Sequence, residues 1–260
     1  MGIPGCTRGL RAFALACGLA WFGPTALAAA TPDLAGAVEP AGQPAEPFGL
    51  SVSAVPAGAL QDKWLGLARK LDDERVQIAL CDGDRDRCAS SAALQLLSIV
   101  DSARMREGRA RLGEINRAIN LAIRPMSDLA QYGEIDVWSS PLATFEHGAG
   151  DCEDYAIAKF MALRQAGVAA DDLRIVIMHD TIYGEDHAVA ATRLDGHWLM
   201  LDNRRMAMVE DINVRNYRPL FVIDQSGIMK YSQPPLLARG PAEDSAPAPA
   251  TQPGLIAAFP

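Results

Sequence analysis

The chain has 260 residues, a hydrophobic fraction of 49% and a formal net charge of −8. That length holds one ordinary domain with tails or two small ones, and the apolar fraction is enough for a packed core. The acidic balance argues against nucleic acid and an anionic bilayer as main partners, because both select basic surfaces.

Arg8 and Arg11 precede an apolar run over residues 12–22, and Ala26-Leu27-Ala28 forms a small-x-small cleavage site. Residues 1–28 therefore read as a secretory signal peptide, too short for a comfortable membrane span. Cleavage near Ala28 is preferred, with Ala30 second. Cys17 is a poor lipoprotein site because the leucine is displaced in Ala14-Leu15-Ala16. Cleavage leaves 22 basic against 32 acidic residues, a net −10. Such a surface suits cationic partners or a divalent metal. Residues 29–58 are rich in Ala, Pro and Gly and read as a flexible leader, ahead of a folded domain over 59–232.

From about Leu60 a helical pattern begins, with Trp64, Leu67, Ala68 and Leu71 on one face. Residues 91–106 and 109–123 predict two more helices. In the second, Leu112, Ile115, Ile119 and Ile123 form the buried stripe, and Arg111, Glu114 and Arg117 face water. Pro125 ends it, and residues 125–150 read as a loop. Trp138 in that loop is either a core anchor or a wall of a cleft. Cys81 and Cys88 flank a polar loop, and in an oxidising compartment they are expected to pair as a disulfide. A two-cysteine metal site there lacks Cys-x-x-Cys spacing and a nearby histidine. Since Cys6 and Cys17 leave with the signal, Cys152 remains as the odd thiol.

Cys152 stands in Gly150-Asp151-Cys152-Glu153-Asp154-Tyr155, where a glycine-rich turn gives way to a helical pattern. Ala156, Phe160, Leu163 and Ala166 set its apolar spacing, and Gly167 is the stop. With Asp151 as N-cap, Cys152 opens the helix, where free N–H groups and the dipole favour a thiolate. Asp151, Glu153 and Asp154 would oppose that ionisation unless a hard cation such as calcium offsets them; otherwise they are ordinary caps.

Beyond Gly167 the period changes to two. Strands are predicted at 173–178, 186–194 and 197–201, with two more at 218–224 and 228–231. No helix-length segment separates them, so the sheet is expected to be mainly antiparallel and the fold α+β. Residues 233–260 are again Pro/Ala-rich and read as a disordered tail. Asp195-Gly196 suits a two-residue type I′ turn, which pairs Leu194 with His197 and Ala191 with Met200. That register puts His187 and Asp202 on one face, a diagonal step apart. His187 is therefore the predicted base for Cys152, and Asp202 its orienter. His179 is the runner-up, His147 a loop residue near the cleft, and His197 points away. Asn203 could replace Asp202 but lies on the other face.

The order Trp138, Pro141, Gly150-Asp151-Cys152-Glu153-Asp154-Tyr155, His187-Ala188-Val189 and Leu201-Asp202-Asn203 resembles the bacterial transglutaminase-like cysteine proteinases. The resemblance covers roughly residues 60–225 and is nearest to a periplasmic, adhesin-releasing branch. It implies a papain-like, transglutaminase-like core carrying a Cys152–His187–Asp202 triad. It also implies a calcium ion near the cysteine, with Asp151 and Glu153 as matching ligands. The implied substrate is a large repeat-containing surface adhesin, and the implied partner an inner-membrane receptor for cyclic di-GMP. In Val189-Ala190 the alanine departs from the more aliphatic His-x-Val-Leu expected after His187, and the long tails are unlike the branch. Two rival readings share these residues: acyl transfer to an amine, as in a transglutaminase or amidase, and a non-catalytic binding module. The second would be marked by loss of a triad member, and all three are present.

Overall fold

The computed structural model describes residues 46–232. The expected signal peptide at 1–28, the leader up to residue 45 and the tail at 233–260 lie outside the described residues. The first described strand, β1 (Val52–Ala54), pairs antiparallel with the last described strand. Residues 46–58 therefore differ from the leader expected there. Their pairing is with backbone, which an Ala/Pro/Gly-rich composition does not disclose, and Phe48 sets its ring edge against Tyr231 at 6.1 Å. Glu46 also reaches Arg174 Nε at 2.7 Å.

Three long helices follow. α1 (Ala59–Gly83) buries Trp64, Leu67, Leu71 and Ile78 along one stripe. α2 (Ser91–Arg104) starts behind Ser90, whose side chain accepts the Ala93 N–H at 3.1 Å and caps the helix. The Cys81–Cys88 disulfide closes the turn between them, with the two Cα atoms 4.8 Å apart. α3 (Gly108–Ala122) buries Leu112, Ile115 and Ile119, the predicted stripe. Each such side chain, fully buried, contributes about 2 kcal/mol of transfer free energy.

The stretch read as a loop holds four short elements. β2 (Arg124–Pro125) pairs in parallel with β3 (Ala149–Gly150), and between them lie α4 (Asp128–Tyr132) and α5 (Pro141–His147). Helices of five and seven residues are too short to show a period. Their ends are nonetheless marked in the sequence: Ser127 and Ser140 precede them, Pro141 opens α5, and Gly133 and Gly148 close them at φ 71° and 62°.

α6 (Cys152–Gln165) leads into the strands β4 (Leu173–Asp180), β5 (Glu185–Leu194), β6 (His197–Leu201), β7 (Val209–Glu210), β8 (Tyr217–Asp224) and β9 (Gly227–Tyr231). They form an antiparallel sheet in the order β1-β9-β8-β4-β5-β6-β7. The fold is α+β, as expected. The hairpin register is the predicted one: Leu194 pairs with His197, Arg193 with Trp198 and Ala191 with Met200. Asp195 and Gly196 have φ of 51° and 83°, the two left-handed residues of a type I′ turn.

α6 and the three long helices cover one face of the sheet. Ala156, Ile157 and Phe160 of α6 share their core with Ile175, Ala188, Ala190 and Leu201. The opposite face carries a second core of Val176, Met178, Val189, Trp198, Met200 and Tyr231. α6 is thus held between helices and sheet, with its first residue at the mouth of that layer.

Candidate active site

Asp151 occupies the N-cap position of α6, but its side chain makes no capping bond. Cys152 is half-buried and is the free cysteine of the described residues. Its Sγ donates to Glu153 Oε2 at 2.8 Å and takes a backbone hydrogen bond from Ala188, the neighbour of His187. Burial, then the charge and hydrogen bond of Glu153, push the thiol up; the Ala188 N–H pulls it down. Burial and Glu153 thus oppose the ionisation that the helix start favours.

His187 is 1% exposed and Asp202 8%. His187 Nε2 donates to Asp202 Oδ1 at 2.9 Å, and Asp202 Oδ1 also accepts the Arg204 N–H at 2.9 Å. Burial would raise the Asp202 carboxyl. The His187 hydrogen bond and charge, the Arg204 N–H and the Lys159 charge outweigh it and hold the carboxyl below its ordinary range. With Nε2 committed as donor, His187 Nδ1 is left as a buried nitrogen without a hydrogen-bond partner among the described residues. The structure thus joins His187 to Asp202 and brings the Cys152 sulfur to the backbone beside His187. The thiol proton itself is engaged by Glu153, not by the histidine.

The other histidines fall elsewhere. His179 Nδ1 lies 2.8 Å from Asp186 Oδ1 near the surface. His147 ends α5, exposed, edge-on to Tyr132 at 5.7 Å. His197 is exposed at the hairpin. Asn203 makes no bond to His187, and its Oδ1 is buried without a partner. Trp138 is a core anchor, 8% exposed, and it also lines a small niche with Glu153, Ile157, Ile177 and Ala188.

The expected calcium ligands were Asp151 and Glu153. The carboxylates the fold gathers are Asp128, Asp151 and Asp154, with ligand atoms within 4.8 Å of one another. Glu153 turns to the thiol instead. Asp128 was missed because it comes from α4, more than 20 residues upstream, and only the fold brings it in. Asp128 Oδ1, Asp151 Oδ1 and Asp154 Oδ2 are all buried and lack a hydrogen-bond partner. The other oxygens of Asp154 and Asp128 are spent on the frame: Ser139 N–H donates to Asp154 Oδ1 at 2.8 Å, and Val137 N–H to Asp128 Oδ2. Burial, then the neighbouring carboxylates, push Asp151 well above the usual carboxylate range, and burial lifts Asp154 to about 6. A cluster of three carboxylates, each with a buried unpartnered oxygen, suits a hard divalent cation, which takes oxygen ligands and neutralises their charge. Gly150 is required by the same packing. A Cβ there would lie 2.6 Å from Asp154 Oδ2 and 2.7 Å from its Cβ.

Residues 76–230 match the family model of the bacterial transglutaminase-like cysteine proteinases. The chain belongs to that family, and its core is the transglutaminase-like one expected from the motif. No curated protein matches the chain. Among solved structures, LapG of Legionella pneumophila is 22% identical, with a TM-score of 0.49 over 60% of this chain and 86% of that one. Its calcium-bound form is 20% identical at the same TM-score, over 65% and 92% of the two chains.

Proposed function

We propose that the protein is an exported cysteine endopeptidase, with Cys152 as nucleophile, His187 as general base and acid, and Asp202 as orienter. The observation that carries this reading is the buried His187–Asp202 pair with Nδ1 unspent, one residue from the backbone N–H that touches the Cys152 sulfur. His187 Nδ1 takes the thiol proton once Glu153 releases it, and the sulfur attacks a peptide carbonyl carbon. The Cys152 N–H at the start of α6 steadies the oxyanion. His187 returns the proton to the leaving amine as the C–N bond breaks, and water then hydrolyses the thioester. Asp128, Asp151 and Asp154 would hold a calcium ion. Its charge, when bound, offsets the carboxylates that oppose a thiolate.

Export follows from the character of residues 1–28, which argues for the periplasm. The family resemblance favours a large repeat adhesin as substrate and an inner-membrane cyclic di-GMP receptor as regulator.

The test is a peptide-library digest read by mass spectrometry in calcium, with a labelled amine as competing acceptor. Cys152→Ala and His187→Ala are expected to abolish new termini, and Asp202→Asn to leave a small residue of activity. Loss of cleavage in His179→Ala but not in His187→Ala would overturn the assignment of the base. Label incorporated in place of new carboxyl termini would make the enzyme an acyl transferase.

A further inference from the structure

Lys159 is the one charged side chain among the buried residues Tyr155–Leu163 of α6, and it is wholly inaccessible. Its Nζ donates to Leu201 O at 3.2 Å, the carbonyl immediately before Asp202. From α3, Asn120 Nδ2 donates to Asp202 O at 2.9 Å and to Arg205 O at 3.0 Å. One turn earlier, Asn116 Nδ2 donates to Arg205 O at 3.1 Å and to Met206 O at 3.0 Å. The carbonyls of residues 201, 202, 205 and 206 are therefore gripped by side chains from two helices, just where β6 ends and regular pairing stops.

A methionine would fill the Lys159 position without desolvating an ammonium, so packing alone does not account for the charge. Its place in the chain does. Lys159 lies seven residues after Cys152, two turns along the same helix and roughly 10 Å along its axis. One helix thus carries the sulfur at its first residue and grips the backbone of the carboxylate strand two turns later. The electrostatic coupling runs the same way, since the Lys159 and Asp202 charges stabilise each other.

We propose that Lys159 and Asn120 are positioning residues for the reaction: Lys159 ties the helix of Cys152, and Asn120 ties α3, to the backbone at Asp202, so holding His187 in register with the sulfur. This rests on the assignment of Cys152, His187 and Asp202 made above. Neither residue touches the reacting atoms. Both act through Asp202, and that gives them a signature a purely structural residue lacks.

The readout is the rate at which iodoacetamide alkylates Cys152, which needs no substrate. It is measured for the protein and for Lys159→Met, Asn120→Ala, Asp202→Asn and the doubles with Asp202→Asn, with a melting curve for each. Lys159→Met and Asp202→Asn are each expected to slow alkylation about tenfold, and Asn120→Ala about threefold. In the Asp202→Asn background, either added substitution should change the rate by less than about twofold. Full multiplicative loss in the doubles would overturn the proposal while leaving the triad intact, as would an unchanged rate in both single variants. An unchanged rate in Asp202→Asn alone would remove the triad assignment, and the proposal with it. Should Lys159→Met fail to fold, Asn120→Ala, on a half-buried side chain, decides by the same comparison.

Discussion

Burial favours the neutral amine of Lys159 and lowers its pKa from the usual 10.5 to about 7, against the pull of Asp202. Between those values the unfolded chain binds a proton that the folded chain does not. Stability therefore rises with pH across that window and is flat in this term below pH 7. Urea midpoints at pH 6 and pH 9 are expected to show Lys159→Met more stable relative to the parent at the lower pH, with the difference shrinking at the higher. A constant difference would mean that Lys159 keeps its charge in the fold. The pairing of His187 with Asp202 is legible in the sequence, because one turn, Asp195-Gly196, fixes which residues of the two strands share a face. The state of the thiol is not. Glu153 is the very next residue, yet whether its carboxylate faces a cation or the sulfur depends on rotamers that sequence does not encode.

The element that orders the site is the turn from β3 into α6, where Gly150 gives Asp154 room to approach and four residues carry both the thiol and two of the three gathered carboxylates. Gly150→Ala would drive a methyl group into Asp154, an overpacking cost of about 1–3 kcal/mol. Melting curves with calcium and with EGTA test the consequence. Calcium is expected to raise the melting temperature of the parent by several degrees, an increase set by its concentration relative to its affinity. Gly150→Ala should melt lower in EGTA and lose most of the calcium response, and Asp128→Asn should lose the response as well. An equal calcium response in all three proteins would remove the metal reading and leave those carboxylates as parts of the frame. The long helices and strands are legible because each runs for enough residues to show its period. α4, α5 and the β2–β3 pair are not, and Asp128 is lost with them. β1 is hidden for a related reason: three residues of edge strand carry almost no pattern, and their partner is backbone at the far end of the chain.

At the scale of the whole molecule, the fold is a sheet with separate cores on its two faces, and the proposed nucleophile sits where α6 enters one of them. The cysteines divide along the same lines. Cys81 and Cys88 are joined at the turn between α1 and α2, and Cys152 stands free at the start of α6. That division is readable from counting alone, because a chain expected to be exported, with an odd thiol, asks for a use of that thiol. The central claim is that Cys152 is a nucleophile served by His187, and alkylation followed by peptide mapping tests it most directly. The unreduced protein, treated with iodoacetamide near neutral pH in calcium, is expected to carry label on Cys152 and none on Cys81 or Cys88. His187→Ala should slow that labelling at least tenfold without a matching fall in melting temperature. A Cys152 that resists alkylation in the folded protein, or one that reacts at the same rate without His187, would contradict it.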